Sequence, residues 1–217
     1  MVGAASRRRA RVSALHSPLV KPSWPFRWAP DPVRLQQSAH ERESIRAEAN
    51  QLPPTKWAAV VGSITPRKNL HLVAKAIEKA EDVGLIVAGR ISDDAEKLAR
   101  DSLNSLKASG RLIEMNRELS DSQLDSIIAE ADCVVVAHSN EGPSGIVAKA
   151  AFCGTPLVLS GAKSLRRDAS ALGTSAVWCP LTEDSLAVSI EAQVRSIRDE
   201  ARFRHFGEDL FIDSLCG

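Results

Sequence analysis

Six short apolar runs constrain this chain more than any other feature. They are "WAAVV" (57–61), "GLIVAG" (84–89), "RLIEM" (111–115), "CVVVA" (133–137), "PLVLS" (156–160) and "SAVWC" (175–179). Most are continuously apolar rather than alternating apolar with polar. A strand of that kind is buried on both faces, which is the condition of a parallel sheet covered by helices. Helix-length segments separate or follow the runs: "LHLVAKAIEKA", "DDAEKLARDSLNSLKAS", "SDSQLDSIIAEA", "GIVAKAAFC", "SLRRDASAL" and "TEDSLAVSIEAQVRSIRDEA" (182–201). Strand and helix therefore alternate, and the pattern predicts an α/β, doubly wound, Rossmann-like domain. The 217 residues suffice for one such domain and not for two large ones.

Local signals sharpen these elements. Ser120 with Gln123 three residues on predicts a capping box at one helix start. Gly154, followed by Pro156, predicts a glycine-ended helix. Residues 1–32 differ from the rest. They carry Arg7, Arg8, Arg9 and Arg11, then five prolines in "SPLVKPSWPFRWAPDP", and read as an extended or irregular basic segment. The Rossmann-like domain is taken as 33–217, opened by a charged helix within 38–50.

Composition excludes several classes. The net charge is +1, so no overall field draws in nucleic acid or an anionic membrane. No apolar run approaches the roughly 20 residues of a transmembrane helix. Cys133, Cys153, Cys179 and Cys216 lie far apart without CxxC spacing. They read as free thiols in a reducing compartment, hence a cytoplasmic protein. No His pairs with a Cys at ligand spacing, and no metal is expected.

In open parallel sheets, ligands bind beyond the carboxyl ends of the strands. Two loops there carry chemistry. In "GSITPRKN" (62–69), Gly62 permits a sharp turn, and Arg67 and Lys68 stand at the start of the next helix. A helix start beside a lysine is an anion site; the alternative is a solvated basic pair. The phosphate-loop pattern GxxxxGK[ST] is absent. In "HSNEGPSG" (138–145), Gly142 and Gly145 let backbone amides approach a ligand, while Glu141 suits sugar hydroxyls better than phosphate. Amides for phosphate and a carboxylate for hydroxyls together suggest a nucleotide sugar. A plain strand-to-helix turn is the alternative. His138 is read as a polar strand end.

On these residues the chain resembles the C-terminal, donor-binding half of GT-B glycosyltransferases, most closely the family-4 type. "APDPV" is similar to the linker entering that half, and "ERESIRAEANQLP" to the helix before its first strand. "VVGSITPRKNLHLVAKAI" resembles its phosphate loop, and "LSDSQLDSIIAEADCVVVAHSNEGPSGIVAKAAFCGTPLVLSG" its signature region. The resemblance spans about residues 29–200. It implies a metal-independent glycosyl transfer from a nucleotide-sugar substrate, without a cofactor. Lys68 and Glu141 become the catalytic candidates, Lys68 on the diphosphate and Glu141 on the sugar. Gly62, Ser63, Arg67, Gly142, Pro143, Ser144 and Gly145 join them around the donor, with Asn116 and Arg117 near the base.

Three departures accompany the resemblance. Ser63 stands where the family often has arginine. Lys149, eight positions after Glu141, replaces the glutamate that grips the ribose; it has donors only. The N-terminal, acceptor-binding half is not represented. Two readings follow: a transferase domain whose acceptor half comes from a separate chain or from upstream sequence, or a non-catalytic or truncated descendant that binds a nucleotide or protein.

Overall fold

The structure, a computed structural model, describes the strands Ser13–His16 and Arg27–Pro30 and residues 33–198. Within the proline-rich segment, β1 (Ser13–His16) and β2 (Arg27–Pro30) pair as a two-stranded parallel sheet. The arginines at 7–11, Cys216 and the phenylalanine-bearing C-terminal segment lie outside the described residues.

The main sheet has six strands: β3 (Lys56–Val61), β4 (Val83–Ala88), β5 (Leu112–Met115), β6 (Cys133–His138), β7 (Leu157–Gly161) and β8 (Ala176–Cys179). Their order is β5-β4-β3-β6-β7-β8, and every pairing is parallel. The chain builds outward from β3 in one direction, then returns to the other side of β3 with β6. A doubly wound sheet has its topological switch point at such a place, here between β3 and β6.

The apolar runs are explained by burial on both faces. Ala58, Val60, Leu85, Val87, Val135 and Val158 face one helical layer, made by α2 (Leu70–Lys79), α3 (Asp93–Ala108) and α7 (Glu183–Gln193). Trp57, Ala59, Val61, Ile86, Val134, Val136 and Leu159 face the other. That layer comprises α1 (Ala39–Ala49), α4 (Asp121–Glu130), α5 (Gly145–Phe152) and α6 (Lys163–Leu172). Neighbouring residues on one strand thus feed two separate cores, so both parities are predominantly apolar.

The helix ends follow local chemistry. Ser120 Oγ accepts from the Gln123 amide while Gln123 Oε1 accepts from the Ser120 amide, completing the expected capping box. At the end of α5, Gly154 takes φ +65°; its amide donates to Ala151 and that of Thr155 to Ala150. This is the paired arrangement of a Schellman ending, which requires left-handed backbone and favours glycine. α7 is shorter than expected, stopping at Gln193 rather than continuing to 201. The chain leaves the helix, and the Arg198 guanidinium donates to the carbonyls of Ala129, Glu130 and Ala131. Those carbonyls end α4, where a helix has unpaired acceptors and welcomes a cation.

Candidate functional site

The loop after β3 and the end of β6 meet at the switch point. Gly62 leaves β3 with φ +87°, a left-handed turn. Pro66–Lys68 then form a single 3-10 turn, and Asn69 adopts φ 51° before α2 begins. The turn is latched to β6. The Arg67 carbonyl accepts from the Ser139 amide at 3.0 Å, from Ser139 Oγ at 3.1 Å and from Asn69 Nδ2 at 3.0 Å. Asn69 Nδ2 also donates to the Ala137 carbonyl at 2.8 Å. The short polar side chain of Asn69 makes the αL conformation tolerable and holds the turn in place.

That latch delivers Lys68 over the strand ends. Its Nζ donates to the Val61 carbonyl at 3.1 Å and would lie 3.4 Å from a Cβ at position 62. Lys68, His138 and Ile146 line one narrow cleft with Val61 and Val136. Burial, then the nearby Arg67 charge, lowers the Lys68 pKa to about 8. Burial, then the charges of Lys68 and Arg67, lowers the His138 pKa to about 4. Near neutral pH, Lys68 is therefore mostly charged and His138 is neutral. The Arg67 side chain itself is exposed, as is Ser63.

The loop from β6 to α5 borders the same cleft through Ile146. Ser144 is nearly buried at the helix start and Pro143 is exposed. Gly142 has φ +143°, and its amide donates to Ser164 Oγ at 3.3 Å. A Cβ on Gly142 or Gly145 would meet nothing within 4 Å. Packing therefore does not demand a glycine at Gly145; its bare backbone opens the first turn of α5 to outside atoms. Glu141 has a second task. Its two oxygens accept from the Lys163 and Ser164 amides at 2.8 Å each, capping α6. These amides, followed by smaller contributions including the Arg167 charge, hold the carboxyl below the usual glutamate range. A groove on its outer side is lined by Lys163, Arg166, Arg167 and Ser170.

The remaining candidates are tied into the scaffold. Asn116 Oδ1 accepts from the Ile91 amide at 2.9 Å, joining the loops after β4 and β5. Arg117 donates to Gln123 Oε1 at 3.0 Å and borders a cavity of about 230 Å³ with His40, Ile45 and Met115. Lys149 points its ammonium at α4: Nζ is 2.7 Å from Asp125 Oδ1 and 3.7 Å from Asp121 Oδ1. Asp125 is wholly buried, and its other oxygen accepts from the Gln36 amide at 2.7 Å. A buried carboxylate needs such partners, and Lys149 supplies the charge.

The structure sets Gly62, Lys68, Gly145 and Glu141 in loops at one end of the sheet. Asn69 and Ser139 as the latch, the α6 amides on Glu141, and Asp125 as the partner of Lys149 were not legible from local pattern. One signal was available for the last pair. Asp125 and Lys149 each interrupt an apolar helical face, and opposite charges in such positions are candidates to meet. Among the described residues, no helix is long and apolar enough to cross a membrane.

Comparison with known proteins adds a family match. The model described as glycosyl transferases group 1 matches residues 41–204. No curated protein matches the sequence. Among solved structures, HepE (Alr3699) of Anabaena in complex with UDP and glucose is 16% identical with a TM-score of 0.64, over 87% of this chain and 52% of that one. Sucrose-phosphate synthase from Thermosynechococcus elongatus is 18% identical with a TM-score of 0.65, over 94% of this chain and 53% of that one. A UDP-forming α,α-trehalose-phosphate synthase from Burkholderia xenovorans is 14% identical with a TM-score of 0.63, over 88% and 52%. At such identities the likeness is one of fold, and the chain spans about half the length of these proteins.

Proposed function

The chain belongs to the group 1 glycosyl transferases, and from that premise we propose that it binds a nucleotide-sugar donor for glycosyl transfer. The observation that carries this reading is the cleft at the switch point that Lys68 shares with Ile146 of the open first turn of α5, with Glu141 on the loop leading into that helix. Lys68 and the α5 amides would hold the diphosphate and stabilise it as it leaves, in place of a metal. Glu141, kept ionised and fixed in direction by the α6 amides, would accept from sugar hydroxyls with its remaining lone pairs. The cavity beside Met115 and Arg117 would take the base. The solved neighbour bound to UDP supports the choice of uridine diphosphate as first probe. The finer family-4 assignment rests on the ordered likeness of the 62–69 loop and the Glu141 loop, from which Lys149 departs. The acceptor would be presented by a second Rossmann-like unit, which the length of the solved neighbours supports.

Calorimetric titration with UDP, GDP and ADP and their sugar conjugates tests the reading. Saturable micromolar binding is expected, with Glu141→Ala weakening the sugar conjugates at least tenfold and the bare diphosphate much less. Absence of binding to every nucleotide would sink the donor-site reading.

One observation favours a second reading, a donor domain kept as a binding module. Lys149 occupies the place of the ribose-gripping glutamate and is engaged by Asp125. Following a bound UDP-sugar by NMR separates the two. Release of sugar, or transfer to an added acceptor unit, supports the enzyme; a conjugate that stays intact in every mixture supports the module.

A further inference from the structure

Two basic side chains, Lys68 and His138, line one cleft at the switch point, half-buried. Neither has an acidic partner among the described residues. Among the described residues, Lys68 Nζ has a single hydrogen bond, to a backbone carbonyl, and so keeps donors to spare. The His138 imidazole has no hydrogen bond within the described residues. The charges that act on it are those of Lys68 and Arg67. Lys68 and Arg67 come from the 3-10 turn and are both cationic. Glu141, from the loop before α5, has its carboxylate on the α6 amides. Lys149, further along α5, is paired with Asp125. β3 contributes only Val60 and Val61 to the cleft.

Among the described residues, the cleft therefore contains two groups able to bear positive charge and no anion to offset them. It is narrow, about 10 Å³, with room for a water-sized atom rather than a phosphoryl group. An anion would sit at its mouth and present oxygens inward. We infer that His138 is a ligand-binding residue of this site, which takes a proton from solvent and donates to a phosphoryl oxygen when a diphosphate binds. Anion capture is then coupled to proton uptake. This rests on the donor-site reading and adds a residue and a pH response to it.

The physical reason is reciprocal. The burial and the neighbouring cations that now hold the His138 pKa near 4 are opposed by a dianionic group at the mouth of the cleft, which favours the imidazolium. Between the free and bound pKa values of His138, affinity should fall by up to tenfold per pH unit as the pH rises, because one proton accompanies each ligand. Lys68 adds a second decline above about pH 8.

The test is side-chain NMR of the histidine imidazoles across pH 4–8, with and without saturating UDP. His138 is assigned by the resonance missing from His138→Gln. The expected result is a titration near pH 4 in the free protein that moves up by at least one unit with UDP. In calorimetry, His138→Gln should flatten the pH dependence of UDP affinity below pH 7 and keep the decline above pH 8. If UDP binds and His138 titrates unchanged, the inference falls and the donor site stands. If neither UDP nor inorganic pyrophosphate binds or moves any histidine, both fall. The wild-type spectra carry this answer even if the His138→Gln protein folds poorly, since the resonance can then be assigned by sequential backbone correlation.

Discussion

At the residue scale, the most informative position is Lys149. From sequence it invites exchange for glutamate, the residue the family resemblance expects there. The structure gives that exchange a cost. Asp125 is fully buried and depends on Lys149 for its counter-charge. Lys149→Ala should destabilise the fold by about 3–5 kcal/mol, the usual consequence of stranding a buried charge. Lys149→Glu should be worse, since it sets two carboxylates together, and by itself should not improve donor binding. The double variant Lys149→Leu/Asp125→Leu should recover most of the lost stability, because an apolar pair removes both desolvation penalties. Urea denaturation of the three proteins checks this; a Lys149→Ala protein as stable as the parent would show that the ion pair does not hold Asp125 in solution.

At the element scale, helix ends set the loop geometry on which the site depends. α5 must begin with an open turn at Gly145 and end sharply at Gly154 so that Leu157 can enter β7. Gly154→Ala places a Cβ in left-handed backbone at φ +65° and should cost about 1 kcal/mol. Thermal unfolding should report it as a lower Tm of a few degrees; no change would mean that the Schellman ending contributes nothing to stability. α7 is instructive in the opposite sense. Its helical pattern continues past Gln193, yet the chain turns away and Arg198 closes the end of α4. Propensity was outweighed by a contact formed only when α4 and α7 are already in place.

At the scale of the whole molecule, the half-buried basic groups at the switch point shape stability against pH. The His138 pKa is lowered on folding from 6.5 to about 4. The unfolded chain therefore binds more protons between those values, so stability falls as pH drops from 6.5 toward 4. The expected loss is on the order of 1–2 kcal/mol after allowance for solvent screening. Lys68, lowered from 10.5 to about 8, acts with the same sign over its own range, stability rising from pH 8 to 10.5. Glu141 contributes oppositely in origin but in the same direction. Its folded pKa lies below 4.5, so its contribution is present above 4.5 and fades as the pH falls through the folded value. Denaturation midpoints from pH 4 to 7 should rise with pH and rise less steeply in His138→Gln; parallel curves would exclude His138 as the source.

The chain's own sequence determined the class of fold. Apolar runs such as "CVVVA" and "GLIVAG" can be satisfied only between two helical layers, and amphipathic segments of helix length supply those layers. Capping signals at Ser120 and Gly154 were legible because they act over three or four residues. That the loops carrying Gly62, Lys68 and Glu141 lie beyond the carboxyl ends of the strands was legible, because strand-to-helix loops in such sheets gather at one end. Tertiary structure alone decided the rest. The partners of Glu141 lie 22 and 23 positions away, Asp125 lies 24 from Lys149, and Ser139 lies 72 from Arg67. Contacts at such separations are set by sheet order and helix packing, and no local pattern encodes them. The electrostatic state of Lys68 and His138 follows from the same cause: burial and mutual proximity at the switch point exist only once β3 and β6 lie side by side.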